Sequence, residues 1–204
     1  HDRIMHRPGI REHHSGGGSP HGLDQPDSER HQLADMGGTG MRFIYLDPPY
    51  PGQARKHYKM PEVDHAALIQ EAITDYDGFA LSTSSSALKD ILDLCPAYVR
   101  VAAWVKPFAS FKPGVNPAYA WEPVIFHTPK KRSRTVKTVR DWHSANITLK
   151  KGLAGAKPES FCEWIISLLG LELEDTLEDR FPGTGIMDQT WEAWRARALG
   201  EGIA

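Results

Sequence analysis

Four consecutive residues, Asp47-Pro48-Pro49-Tyr50, follow a short apolar run and carry the clearest chemistry in the sequence. Two prolines fix the backbone and remove two N–H donors. What remains is a set of acceptors, the Asp47 carboxylate and the Pro48 carbonyl, beside the aromatic face of Tyr50. Two acceptors can hold the two hydrogens of one –NH2 group, and an aromatic ring can stack on a planar base. An exocyclic amine is a poor nucleophile because its lone pair is delocalised into the ring. Holding both hydrogens favours a more pyramidal nitrogen with a localised lone pair. The same four residues also read as a rigid turn with a surface tyrosine.

A second stretch, Asp179-Arg180-Phe181-Pro182-Gly183-Thr184-Gly185, stands between a strand pattern and a helix pattern. Glycines there let a ligand approach the backbone, and a helix start offers free N–H groups. A tight strand–helix turn uses the same residues. Upstream, Lys157-Pro158 opens a helix pattern rich in aromatic residues; proline suits a first helical turn. From 128 to 157 nine bases stand against one acid, Asp141, for a net charge of +8. Trp142, Ser144, Asn146 and Thr148 are interleaved with them. Such cations suit phosphate contacts, which makes Lys130, Lys131, Arg132, Arg134, Lys137, Arg140, Lys150 and Lys151 candidates for binding nucleic acid. A solvated basic loop has the same composition. Lys56 and His57 either touch the same ligand or sit on an exposed loop, and His143 reads as a surface histidine.

These motifs need elements to hold them. Arg42–Leu46, Gly78–Ser82, Tyr98–Val105, Trp121–His127 and Thr176–Arg180 read as strands. Asp64–Thr74, the run from Ser84 to about Leu94, Pro158–Leu169 and Gly185–Leu199 read as helices. Residues 128–155 read as polar, basic and irregular. Alternating strands and helices argue for an α/β domain with a mostly parallel sheet. Ligand crevices in such sheets lie beyond the carboxyl ends of the strands, where both motifs fall.

Residues 1–40 read as a disordered tail: they hold six of the ten histidines and few large apolar residues. Those histidines lack regular ligand spacing, so no metal site is read from them, and Met41 is a candidate start of the folded part. A length of 204 residues then suits one domain, 41–204, with a basic loop at about 128–156. No apolar run is long enough for a membrane helix, and no signal peptide is recognised. Cys95 and Cys162 fit two free thiols of a reducing cytoplasm. The net charge of −2 conceals a split, because residues 158–204 carry −7 against the preceding +8.

Taken together, Asp47-Pro48-Pro49-Tyr50, Trp104-Val105-Lys106-Pro107, Trp121-Glu122-Pro123-Val124-Ile125-Phe126, Lys157-Pro158 and Asp179-x-Phe181-x-Gly183-x-Gly185 resemble the amino-methylating DNA methyltransferases. The order resembles the permuted, β-type adenine-N6 enzymes, many encoded by phages and prophages and some by restriction-modification systems. The resemblance spans about Arg42 to Trp194. It implies a three-layer, Rossmann-like fold for S-adenosylmethionine-dependent methylation of adenine N6 in DNA, in a bacterial or phage-infected cytoplasm. By that likeness Asp47 and the Pro48 carbonyl hold the target amine, Pro49 keeps the turn rigid, and Tyr50 stacks on the flipped-out base. Asp179, Phe181, Gly183, Thr184 and Gly185 line the methionine side of the cofactor S-adenosylmethionine, and Lys157-Pro158 close its site. Cytosine-N4 methylation, or a nucleic-acid-binding relative that no longer methylates, are the alternatives; the leading Asp47 favours adenine.

The sequence departs from that family in being short after the glycine loop. It has no further strand there ending in an acidic residue for the cofactor ribose. About five strands remain, and family topology puts Thr176–Arg180 at an edge beside Arg42–Leu46. An uncovered edge invites pairing with a second copy into a homodimer.

Overall fold

The computed structural model describes residues 40–51, 62–108, 114–150 and 153–201. The tail reading of residues 1–40, apart from Gly40, lies outside them, as do Lys56, His57 and Lys151. Two strands dominate the centre. β1 (Arg42–Leu46) buries Phe43 through Leu46, and β2 (Gly78–Ser82) is buried along its whole length. Continuous burial, rather than alternation, marks strands covered on both faces.

The main sheet adds β3 (Arg100–Val105), β4 (Trp121–His127), β5 (Trp142–Ser144) and β8 (Thr176–Asp179) in the order β5-β3-β4-β2-β1-β8. β1 runs parallel to both β2 and β8. β4 runs antiparallel to β2 and β3, and β5 runs parallel to β3. A separate hairpin pairs β6 (Thr148–Lys150) with β7 (Leu153–Ala156).

Helices cover both faces, giving three layers. On one face α1 (His65–Asp75) and α2 (Leu88–Leu92) bury Leu68, Ile69 and Ile91 against Ile44, Leu46 and Leu81. Asp64 caps α1 by accepting the Ala67 N–H at 3.0 Å. On the other, α3 (Glu159–Leu169) and α4 (Ile186–Glu201) bury Phe161, Ile165, Met187 and Trp191 against Phe43, Tyr45 and Trp104. α3 ends at Gly170, whose φ of +74° suits a residue without Cβ.

The five expected strands are present, each within two residues of its expected ends, and β8 is the edge beside β1. The sheet is mostly parallel, as expected, with β4 alone running against the other five strands. Two expectations need correction. The sheet has six strands rather than about five, because β5 extends it beyond β3. Residues 128–155 are not wholly irregular, since β5, β6 and β7 lie within them. β5 has just three residues, none fully buried, and is held by backbone pairing to β3. Backbone pairing at an edge leaves no hydrophobic period to read.

Candidate active site

The topology brings chemistry to one end of the sheet. Asp47 follows β1, Ser82 ends β2, Lys106 follows β3 and Asp179 ends β8. These strands are mutually parallel or aligned, so all four positions lie at their carboxyl edge. β4 runs the other way, and its first residues, Trp121 and Glu122, therefore reach the same edge opposite Val105 and Trp104. β7 then delivers Lys157, immediately before α3.

At that edge the side chains form a buried charged network. The Lys157 ammonium donates to the Asp47 carboxylate, 3.0 Å from Oδ1 and 2.9 Å from Oδ2, and lies 3.4 Å from Glu122 Oε2. Glu122 also pairs with Lys106 and interacts with the nearby Tyr50 phenol. The Lys157 side chain is 9% exposed, that of Glu122 15% and that of Asp47 25%, so Asp47 is the member open to a visitor. Beneath them lies Trp104, fully buried, with the Lys157 Nζ 5.3 Å and the Lys106 Nζ 4.8 Å from its ring centre.

The network sets the protonation of its members. Burial alone lowers Lys157, but Asp47, Tyr50, Tyr45 and Glu122 outweigh it and hold the ammonium well above the usual lysine value. Burial raises Glu122, yet Lys157 and Lys106 leave its carboxyl below the ordinary range. The Tyr50 phenol is pushed well up by burial, so it stays a hydroxyl donor. Charges this deeply buried persist when they are paired and hydrogen-bonded.

Next to the network stands the glycine loop. Gly183 and Gly185 adopt φ of +49° and +69°, and the Gly185 N–H donates to the Pro182 carbonyl at 2.6 Å. The turn feeds α4, whose first N–H groups face outward from the helix start. Asp179 accepts the Phe181 N–H at 3.1 Å and has no cationic hydrogen-bond partner among the described residues. Burial raises its carboxyl to about 6; the Phe181 N–H opposes that, while Asp188 and Asp47 add to it. A half-buried carboxylate without a cation beside flexible-φ glycines fits a ligand that brings its own ammonium group.

The raised value has a thermal consequence. Unfolded Asp titrates at about 4, so the folded state holds its proton more tightly and ionising Asp179 costs stability. The cost is complete above the folded value and shrinks as the pH falls toward about 4, where the unfolded carboxyl is still about half ionised. Asp179→Asn is therefore expected to raise the midpoint of thermal unfolding at about pH 8 and to raise it much less at about pH 4. A lowered midpoint at the higher pH contradicts this account.

The basic stretch is divided rather than gathered. His127, at the end of β4, pairs with Phe79 at the start of β2, so residues 128 onward begin at the opposite edge of the sheet. There Lys130, 11% exposed, pairs with Glu172 and with Asp175, which also accepts the Met41 and Glu172 N–H groups. Lys130 thus fastens β1 and β8 to the segment after β4. Lys131, Arg132, Arg134, Lys137 and Arg140 are exposed. Lys150 lies in the hairpin between Ala145, bonded to the Val105 carbonyl, and Lys157. His143 stacks on Trp164 at 5.7 Å and bonds Ser160 at 3.2 Å, so it is partly packed. A cleft of about 1090 Å³ opens between residues 129–139 and α3, but it holds none of the motif residues. The convergence of charges, not cavity size, identifies the site.

Sequence reasoning gave Glu122 no role and left that of Lys106 open. The signal was present: Glu122 is the one charge in an otherwise apolar strand start, Trp121-Glu122-Pro123-Val124. Thr83, just beyond β2, also went unnoticed; it is 2% exposed and its hydroxyl has no hydrogen-bond partner among the described residues. Both thiols are unreactive at neutral pH, since burial pushes Cys95 up to about 11 and Cys162 up to about 12. Among the described residues no group of side chains is arranged to hold a metal ion.

No protein-family model and no curated protein matches the sequence. Solved structures do match. The crystal structure of the M1.HpyAVI–SAM complex aligns with a TM-score of 0.53 at 15% identity, covering 82% of this chain and 83% of that one. A second crystal structure of M1.HpyAVI aligns over 82% of each chain at 16% identity, with a TM-score of 0.49. At such identity the likeness concerns the fold alone: this chain has a Rossmann-like α/β fold shared with the SAM-bound structure, with six strands in its main sheet.

Proposed function

We propose that the protein methylates the exocyclic N6 amine of adenine in DNA, with S-adenosylmethionine as the methyl donor. One observation carries the reading: Asp47-Pro48-Pro49-Tyr50 and the glycine loop 181–185 come directly after adjacent parallel strands, β1 and β8, at one sheet edge. An amine acceptor and a loop for an ammonium-bearing cofactor are thereby neighbours. A solved structure of this fold carries SAM.

In this reading Asp179 receives the cofactor's amino group, and Gly183, Thr184 and Gly185 with Phe181 line its methionine part. When bound, the cofactor supplies an electrophilic methyl group. The chain's own residues do the positioning. Asp47 and the Pro48 carbonyl hold the two amine hydrogens and aim the nitrogen lone pair, Pro49 stiffens the turn, and Tyr50 offers its ring to the base. Burial of Lys157 and Glu122 limits water around the network, while Asp47, a quarter exposed, stays open to the base. In this reading Lys157-Pro158 close the cofactor side, and Lys157 also contacts Asp47 and Glu122. The exposed cations Lys131, Arg132, Arg134, Lys137 and Arg140, with Lys150 and Lys151, contribute phosphate contacts, and Lys130 supports their segment from within. A second copy pairing along β8 is consistent with that strand lying at the sheet edge.

The test is transfer of a labelled methyl group from S-adenosylmethionine to DNA by the purified chain, with subsequent digestion to nucleosides. Label in N6-methyladenine supports the reading, and label in N4-methylcytosine replaces adenine by cytosine. No label, with the protein folded, removes it. Within the same assay Gly185→Ala is expected to weaken cofactor use. A Cβ at φ +69° costs about 1–2 kcal/mol and meets Gln189 Nε2 at 3.4 Å. The KM for S-adenosylmethionine should rise while that for DNA holds.

A further inference from the structure

Asp47 is the proposed seat of the target amine, yet both its oxygens are taken by Lys157, at 3.0 and 2.9 Å. An ammonium group is chemically close to the visitor it excludes: each is a nitrogen presenting N–H donors to a carboxylate. Lys157 already makes a longer contact to a second carboxylate, Glu122 Oε2 at 3.4 Å, which a small torsion shortens into a close ion pair. Glu122 is itself held by its ion pair with Lys106. The Lys157 stem is confined by Trp104 and Phe161, whose ring centres lie 5.3 and 5.9 Å from Nζ, so the ammonium has few other places to go. Water is a poor alternative for a side chain 9% exposed.

We infer that Lys157 is a placeholder for the target amine on Asp47, and that Glu122 is the positioning residue that receives Lys157 when the base enters. This rests on the reading of Asp47 as the amine-binding carboxylate. It explains why a second, largely buried carboxylate stands beside Lys157. It also explains how a dry site holds a carboxylate ready without leaving a bare charge: one ammonium satisfies Asp47 before the base arrives and Glu122 afterwards. Selectivity results, since a visitor must offer hydrogens good enough to displace an ion-paired ammonium. A base edge without an amine cannot.

The experiment compares binding of deoxyadenosine monophosphate with that of its analogue lacking the 6-amino group, by NMR-detected titration in the absence of cofactor. The ratio of the two dissociation constants isolates the amine's contribution and needs no knowledge of a recognition sequence. Lys157→Met keeps the volume of the stem but removes the competing ammonium. It is expected to raise the ratio at least about fivefold. Glu122→Gln weakens the receiving seat and is expected to lower the ratio by a similar factor, and Glu122→Asp, which keeps the charge, to restore part of it. With no ammonium left to receive, the double variant should match Lys157→Met alone. A ratio unchanged or lowered in Lys157→Met overturns the inference, as does additivity in the double variant. Should Glu122→Gln not fold, the Lys157→Met ratio still decides. Wild-type methylation of DNA is measured alongside. Methylation without the gain in Lys157→Met removes the placeholder alone, whereas absence of methylation by the folded wild type removes the functional reading beneath it.

Discussion

Asp47→Asn is expected to leave the protein folded and to lower methyl transfer by about 10²–10³-fold in kcat, the range lost when one preorganised polar group at a reacting centre is removed. Asparagine keeps the shape and one acceptor, so it still takes a hydrogen bond from Lys157. It loses the second carboxylate oxygen and the charge, and with them the symmetric hold on an amine. Asp47→Ala is expected to behave differently. It removes the ion partner of an ammonium that is 9% exposed and leaves it Glu122 at 3.4 Å. Breaking a buried pair costs about 3–5 kcal/mol, and the lower end applies because Asp47 is a quarter exposed. Urea unfolding of the two variants beside a methyl-transfer assay separates the effects. Equal activity in Asp47→Asn and wild type would remove Asp47 from the chemistry. Equal stability in Asp47→Ala and wild type would mean that Lys157 finds another partner.

The second large effect belongs to Trp104. It is completely buried, its Nε1 donates to the Ala145 carbonyl at 2.9 Å, and Phe161 packs against it at 5.0 Å. Trp104→Ala leaves a large cavity under the charged network and is expected to cost about 3–5 kcal/mol. At this chain length that is a fall of roughly 10 °C in Tm. Trp104→Phe fills most of the space but leaves the Ala145 carbonyl unpaired, for about 1–3 kcal/mol. Ala145 also holds the Val105 carbonyl through its N–H, so the loss reaches the start of the hairpin that delivers Lys157. Activity should therefore fall in Trp104→Phe by more than its stability loss explains at temperatures where it is fully folded. A proportionate fall would make Trp104 a core residue alone.

Much of this site was legible in the sequence. Asp47-Pro48-Pro49-Tyr50 and Asp179–Gly185 are local: each is a run of neighbours after a strand, and its chemistry travels with the residues. The central strands were equally legible, because continuous burial leaves continuous apolar runs such as Phe43–Leu46 and Phe79–Leu81. The placing of β8 beside β1 was implied by the family resemblance alone. Glu122 was harder to read. Its partners Lys106, Lys157 and Tyr50 stand 16, 35 and 72 positions away, and nothing in the spacing announces that they meet.

Charge shows the same boundary. The order of residues shows that nine bases crowd residues 128–157 and that acids dominate residues 158–204. It did not determine where those charges lie. The antiparallel β4 starts the basic run at the far edge of the sheet, puts Lys130 on Glu172 and Asp175, and returns the chain so that Lys157 reaches Asp47. Local pattern arises from each residue's own backbone and side-chain preferences. Strand direction and long-range ion pairs arise from how burial is shared among all elements at once, and that sharing exists in the folded chain alone.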